Sequence, residues 1–173
     1  MRLFVAAVLP AAMRRALAET SGLLRGSVRG RYVAPDSFHV TLAFLGELDE
    51  HGAEAAMGAM ERGCSGFEPF EIALGELGSF GKRSKATLWQ GFADAGKLND
   101  LASQIRAELD ASFISFDDKT FRPHVTLMRN ADLTRGELPS PCIAHGSIDT
   151  VTLFKSDLSG SRPQYDELLS VVL

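Results

Sequence analysis

The four-residue sequence His-Val-Thr-Leu occurs twice in the chain, at residues 39–42 and again at residues 124–127. Each copy lies in a short apolar stretch, which favours a β-strand in both places. Side chains two positions apart on a strand point to the same face, so each histidine shares its face with the threonine that follows it. A fold that brings both strands to one cleft would therefore place two histidines and two threonines around a single site.

The pattern of the remaining segments predicts an α+β fold, because it is neither a regular strand-helix alternation nor an all-β meander. Helices are predicted over residues 11–25, from a cap at Asp49 over residues 50–62, and after a cap at Asp94. Strands are predicted over residues 2–9, 38–45, 70–80, 86–92, 121–128, 146–154 and 165–172. One motif strand in each half suggests two similar lobes that face each other across a cleft.

Length and charge limit the kinds of protein that this chain can be. Its 173 residues suit one domain, which we take as residues 1–173. The net charge of −4 argues against a protein that coats nucleic acid, although a small anionic group could be held locally. The apolar stretch of residues 3–9 is too short for a membrane span and suits a buried strand better than a signal peptide. We expect a cytoplasmic monomer with no obligate protein partner, in which Cys64 and Cys142 are reduced.

Basic residues are concentrated in two places. The first 34 residues hold six arginines against one acidic residue, Glu19, and the arginines are Arg2, Arg14, Arg15, Arg25, Arg29 and Arg31. A second cluster consists of Lys82, Arg83 and Lys85, in a loop between two predicted strands. Charged clusters of this size are often solvated surface, and the alternative is a rim that faces phosphate. The sequence leaves both interpretations open.

Two histidines in one cleft can supply a base and an acid together, since the imidazole titrates near neutrality. This pair suits the cleavage of a phosphodiester, in which one histidine activates water and the other protonates the leaving oxygen. Threonine hydroxyls beside them can donate to the non-bridging phosphate oxygens. His39, Thr41, His124 and Thr126 are therefore the candidate site residues.

Other uses of these residues are less well supported by the pattern. A single His-x-Thr strand is more often part of a core. In that case the same polar pair would have to be buried in both copies of the motif, which is costly. A metal site would need further ligands, and threonine is a poor ligand for zinc or iron. A serine hydrolase would leave one histidine without a role, and the chain has no Gly-x-Ser-x-Gly sequence. We predict no metal and no cofactor.

The extended motifs resemble those of the two-histidine phosphoesterase superfamily, and within it the RNA 2′,3′-cyclic phosphodiesterases, also called the 2′-5′ RNA ligase family. The resemblance covers most of the chain and rests chiefly on two segments, His39-Val-Thr-Leu-Ala-Phe-Leu-Gly46 and Phe121-Arg-Pro-His-Val-Thr-Leu-Met-Arg129. It implies a bilobal fold with pseudo-two-fold symmetry, in which two antiparallel sheets face a central cleft and the helices lie outside.

The resemblance also implies an activity and roles for individual residues. The activity is metal-independent hydrolysis of RNA 2′,3′-cyclic phosphate ends to 2′-phosphomonoesters, with reversible 2′-5′ ligation as a related reaction. His39 would be the proton donor and His124 the proton acceptor, whereas symmetry alone leaves both assignments open. Thr41 and Thr126 would bind the phosphate. The alternatives are a related enzyme acting on 2′-5′ oligonucleotides or another cyclic phosphate, and a non-catalytic module that binds RNA ends.

Strand alternation makes further predictions about the neighbours of the motifs. Met128 should share the face of His124 and Thr126, whereas Arg129 should point away from them. Arg129 is the basic residue usual in the family at this position, and it can bind phosphate only if the strand ends or bulges before it. Trp89 and Phe44 are predicted to be core residues.

Overall fold

The computed structural model describes all residues from 1 to 173, which form nine strands and three α-helices. In chain order these are β1 (Arg2–Val8), α1 (Ala11–Leu24), β2 (Arg29–Tyr32), β3 (His39–Glu47), α2 (Glu50–Cys64), β4 (Phe70–Phe80), β5 (Ala86–Phe92), α3 (Gly96–Ala111), β6 (Val125–Asp132), β7 (His145–Ile148), β8 (Thr150–Asp157) and β9 (Gln164–Val172). Short 3₁₀ turns cover Pro35–Ser37 and Arg83–Lys85. No helix has the length and hydrophobicity that crossing a membrane would require.

The strands form two antiparallel sheets, which confirms the predicted α+β class and its two facing lobes. The first sheet has the order β3-β1-β8-β9 and the second the order β2-β6-β5-β4-β7. Each sheet therefore contains one of the two motif strands, β3 or β6. The lobes do not correspond to the halves of the sequence, because β2 belongs to the second sheet while β8 and β9 return to the first.

The open edge of β3 is covered by the segment that leads to the second motif. Arg106 of α3 donates from Nε to the carbonyl oxygen of Leu42 at 2.8 Å. The N–H of Asp117 donates to the carbonyl oxygen of Phe44 at 2.9 Å. An edge strand needs such partners for its unpaired backbone groups. These bonds fix the segment between α3 and β6 against the strand that carries the first motif.

The Arg106 guanidinium also lies between two aromatic rings of that segment. Its central carbon is 5.0 Å from the ring centre of Phe121 and 5.5 Å from that of Phe116. Phe121 is three residues before His124. Arg106 thus connects the first motif strand, through Leu42, to the chain that enters the second.

The helices agree closely with the sequence patterns, with one difference at a cap. Asp49 caps α2 as predicted, and its carboxylate accepts the N–H of Gly52 at 2.8 Å. Asp94 does not occupy the cap position of α3, which is Ala95, but its carboxylate accepts the N–H of Gly96 at 2.8 Å. α2 and α3 pack closely at Gly63, where a Cβ atom would lie 2.7 Å from the Cα of Ile105.

Two of the predicted strands were wrong in extent. Residues 146–154 were expected to form one strand, but the chain changes sheets at Asp149, whose carbonyl oxygen accepts the N–H of Leu173. The second motif strand begins at Val125 and not at Phe121. Pro123 has no N–H to contribute to a sheet, so the segment before His124 stays outside the strand.

Candidate active site

A cleft of about 850 Å³ lies between the two sheets and contains all five residues predicted for the site. His39 and Thr41 reach it from β3. Thr126 and Arg129 reach it from β6, and His124 from the position just before that strand. The repeated sequence therefore converges on one place. The catalytic and phosphate-binding roles of these five residues remain predictions.

His39 is held by its own chain at the start of β3. Its Nδ1 is 2.7 Å from the carbonyl oxygen of Ser37, and its Nε2 is 3.1 Å from Oγ1 of Thr41. A carbonyl oxygen can only accept, so Nδ1 must carry a hydrogen. In the neutral ring the lone pair is then on Nε2, which can accept the Thr41 hydroxyl or exchange a proton with a bound group.

His124 is held in the same way at the start of β6. Its Nδ1 lies 2.6 Å from the carbonyl oxygen of Arg122, which is again two residues earlier. The same reasoning puts the hydrogen on Nδ1 and leaves Nε2 as the titrating atom. The chain thus prepares two histidines in the same tautomer at the entry of the two motif strands.

The ring of His39 is surrounded by aromatic side chains of the first sheet. Its centre is 4.9 Å from that of Phe4 and 6.5 Å from that of Phe154. Tyr165 of β9 meets it at 5.4 Å with the rings perpendicular. These rings exclude water from one side of the imidazole and fix its orientation.

His124 has a smaller aromatic environment, formed by Phe80 and Trp89 at 5.0 Å and 5.8 Å between ring centres. Trp89 needs a glycine on the neighbouring strand, because a Cβ atom at Gly78 would lie 2.2 Å from its ring. Trp89 was predicted to be a core residue, but it is only partly buried and supports a site residue. Phe44, which was also predicted to be a core residue, is partly exposed too, and the Arg2 guanidinium lies 4.8 Å from its ring centre.

Burial lowers the pKa of both histidines. The pKa of His39 falls to about 4, since desolvation and the charges of Arg129 and His124 outweigh the opposing hydrogen bond to Ser37. Desolvation and Arg129 lower the pKa of His124 too, against its bond to Arg122. Both rings are therefore largely neutral at pH 7 in the empty cleft.

Arg129 faces the cleft because β6 bulges before it. On β5, Ala86 and Trp89 are three positions apart, whereas their partners on β6, Ala131 and Thr126, are five positions apart. Asn130, next to Arg129, has a φ of 54°. Leu127 and Met128 are consequently both buried. The prediction that Met128 would share the face of His124 was wrong for this reason.

Sequence reasoning identified only some of the cationic residues of the cleft. Arg25 and Arg31, from the basic N-terminal cluster, line it together with Lys119 and Arg162, which no pattern had marked. Lys82, Arg83 and Lys85 are absent from its walls. Arg83 instead donates to the carbonyl oxygen of Leu133. The first cluster therefore contributes to the rim, whereas the second is part of a hairpin on the surface.

The cleft contains no group of carboxylate, thiol and imidazole side chains arranged to hold a metal, and neither does the rest of the chain. Asp117 is the only acidic residue among those that line it, and its carboxylate is 3.2 Å from the ammonium group of Lys119. The site thus offers two imidazoles, two hydroxyls and several cations, a set suited to binding and cleaving a phosphate ester.

Comparison with known proteins agrees with this description. The family model of the 2′-5′ RNA ligase superfamily matches residues 11–139. An RNA 2′,3′-cyclic phosphodiesterase of Escherichia coli is 30% identical over 169 residues, covering 96% of this chain and 93% of that protein. One of Geobacillus stearothermophilus is 31% identical over 138 residues, but the match spans only 43% of its length.

Solved structures show the same fold over the whole chain. TT0787 of Thermus thermophilus superposes with a TM-score of 0.85 at 30% identity, covering 100% of this chain and 98% of that one. E. coli LigT complexed with 3′-AMP superposes with a TM-score of 0.81 at 28% identity, covering 99% and 97%. The fold and site define a two-histidine phosphoesterase. More narrowly, the chain belongs to the 2′-5′ RNA ligase superfamily.

Proposed function

We propose that the protein hydrolyses the 2′,3′-cyclic phosphate ends of RNA to 2′-phosphomonoesters, using His39 as the acid and His124 as the base. The observation that carries this proposal is the matched anchoring of the two rings, each with Nδ1 on a carbonyl oxygen and Nε2 free to titrate. Relatives named RNA 2′,3′-cyclic phosphodiesterase support the choice of substrate. The LigT complex with 3′-AMP supports a nucleotide as the ligand.

In the forward reaction Nε2 of His124 takes a proton from water, and the resulting hydroxide forms a bond to the cyclic phosphorus. The bond from phosphorus to the 3′ oxygen breaks, and Nε2–H of His39 protonates that oxygen. The products are a 2′-phosphomonoester and a free 3′ hydroxyl. Exchange of protons with solvent returns both histidines to their starting states. With a 5′-hydroxyl in place of water, the same sequence of steps would join two RNA ends by a 2′-5′ bond.

Thr41 and Thr126 donate their hydroxyls to the two non-bridging oxygens, and Arg129 adds a positive charge beside them. Negative charge on these oxygens is stabilised by donors that are already in place when the substrate binds. Thr41 also lies within hydrogen-bond distance of Nε2 of His39, so the substrate must share or displace that contact.

His39 must gain a proton before it can act as the acid. With a pKa of about 4, only about one molecule in a thousand carries that proton at pH 7 in the empty cleft. A bound phosphate places a negative charge next to the ring and offsets the charge of Arg129. Both effects favour the imidazolium, so binding of substrate prepares the acid.

The chain is proposed to act as a cytoplasmic monomer folded as one domain over residues 1–173. β1 lies between β3 and β8 in the first sheet, so neither lobe is a continuous segment. Cys64 and Cys142 are unpaired, as suits a reducing compartment. Burial raises the pKa of the Cys64 thiol to about 11 and makes it unreactive.

The test is incubation of a short RNA bearing a 2′,3′-cyclic phosphate with the protein in excess EDTA, followed by ³¹P NMR of the product. A 2′-phosphomonoester is the expected product. A 3′-phosphomonoester would reverse the bond assignment, no reaction would exclude the activity, and loss of reaction in EDTA would show that a metal takes part.

A further inference from the structure

Two arginines on neighbouring strands of the second sheet lie side by side at the cleft. Arg31 of β2 is directly opposite Arg129 of β6 in the antiparallel register, and both line the cleft. Side chains in directly opposed positions start from Cβ atoms roughly 5 Å apart, and like charges there destabilise the pair of strands. The sheet therefore carries two like charges at directly opposed positions of its edge pair of strands.

No protein group offsets this repulsion. The only arginine that forms an ion pair is Arg62, with Glu108, and neither Arg31 nor Arg129 donates a hydrogen bond within the protein. Arg25 adds a third charge nearby, with its guanidinium 4.4 Å from the ring centre of Tyr32. Asp117, the only carboxylate of the cleft, is held by Lys119. An uncompensated group of cations in a cleft indicates an anionic ligand.

The two opposed arginines differ in their relation to the histidines. The charge of Arg129 lowers the pKa of His39, of His124 and of Tyr165. Arg31 lines the same cleft but belongs to β2, the edge strand of the sheet, whereas Arg129 is on β6, the strand that also carries Thr126. Arg31 is therefore one strand farther from the second motif than Arg129.

We propose that Arg31 binds the phosphodiester on the 5′ side of the terminal nucleotide, with Arg25 beyond it along the same strand of RNA. This inference rests on the proposed function and specifies its substrate as an oligonucleotide end in preference to a cyclic mononucleotide. Consecutive phosphates of one RNA strand would then meet Arg129 first and Arg31 second. A cyclic mononucleotide has no phosphodiester to place at Arg31 and gains nothing from it.

The variant Arg31→Gln separates the two kinds of substrate. For a trinucleotide ending in a 2′,3′-cyclic phosphate, KM should rise about tenfold, as expected for the loss of one charge-assisted hydrogen bond. For a 2′,3′-cyclic mononucleotide, kcat and KM should be unchanged. The slope of log affinity against log salt for the trinucleotide should fall by about 0.7, which corresponds to one phosphate contact fewer on a single strand.

Two further variants serve as controls. Arg29→Gln removes an arginine from the same strand that does not line the cleft, and it should change neither substrate's kinetics. Arg31→Lys keeps the charge and should retain most of the trinucleotide affinity. Thermal melting of each variant shows whether it is folded, and Arg31→Gln should melt no lower than the wild type because it removes a repulsion.

An equal loss with both substrates would overturn the inference and place Arg31 at the reacting phosphate. An unchanged KM for the trinucleotide would overturn it as well. A direct titration with a trinucleotide 3′-phosphate keeps this result separate from catalysis. If the wild type cleaves neither substrate, the proposed function fails, while a weaker titration with Arg31→Gln alone would still support the phosphodiester contact.

Discussion

At the level of single residues, the site depends on one local hydrogen bond that occurs at both histidines. Each histidine donates from Nδ1 to the carbonyl oxygen two residues before it, at 2.7 Å for His39 and 2.6 Å for His124. The surroundings then make the two rings unequal, since three aromatic rings enclose His39 and two lie beside His124. Identical anchoring with unequal burial gives two groups of one chemical type different proton affinities.

The lowered pKa of His39 makes the folded protein sensitive to acid. Between pH 6.5 and about 4 the unfolded chain binds a proton at this position that the folded protein excludes. The free energy of unfolding should therefore fall, as pH drops through that window, by up to about 3 kcal/mol from this residue. Urea denaturation of the wild type and of His39→Asn should show a pH-dependent part that the variant lacks. His51→Asn, at an exposed position, should behave as the wild type does, and parallel curves for wild type and His39→Asn would refute the prediction.

The same shifts determine the pH dependence of turnover. The profile of kcat/KM reports the free protein, so it should be bell-shaped with an optimum below pH 6.5, because both pKa values are lowered. The optimum for kcat should lie at higher pH, since bound phosphate raises the pKa of each ring. Steady-state kinetics from about pH 4 to about pH 9 would measure both profiles, whose apparent values belong to the pair. A monotonic kcat/KM profile would show that the two histidines do not act together as acid and base.

At the scale of elements, strand alternation was sufficient to predict the core of the site but not its margins. His39 with Thr41 and His124 with Thr126 share their faces as the period of two requires. The two extra residues of β6 between Thr126 and Ala131 have no signal in the sequence, and they reverse the expected positions of Met128 and Arg129. Alternation is a local rule, whereas a bulge depends on how the neighbouring strands pair.

Substitution of Arg106 tests how the packing of α3 against β3 sets the geometry of the site. Arg106→Ala should leave the Leu42 carbonyl on the open edge of β3 without its partner and free the segment that holds Phe121. Unfolding free energy should fall by about 1–3 kcal/mol, and kcat should fall more than KM rises because the two motifs lose their relative position. Arg106→Lys should recover part of the stability and of kcat, since it keeps a donor without the planar stacking. A loss of stability with kcat unchanged would limit Arg106 to a structural role.

At the scale of the whole molecule, the two lobes are interleaved. The sequence suggested one lobe for each half of the chain, but β1, β3, β8 and β9 form one sheet and the middle strands form the other, joined there by β2. No local pattern records which sheet a strand joins, because that depends on long-range pairing such as that of β1 with β8. The cleft could nevertheless be anticipated, since the repeated motif required two strands to converge.

In the proposed reaction one histidine serves as acid and the other as base. This division of roles is tested with an RNA end whose cyclic phosphate carries sulfur in place of the 3′ bridging oxygen, because a thiolate leaves without needing a proton. On the normal substrate, His39→Ala and His124→Ala should each lower kcat/KM by at least about 10²–10⁴-fold.

On the sulfur substrate His39→Ala should recover most of that loss, whereas His124→Ala should remain as impaired as before. Equal recovery in both variants, or recovery only in His124→Ala, would contradict the assignment of His39 as acid and His124 as base.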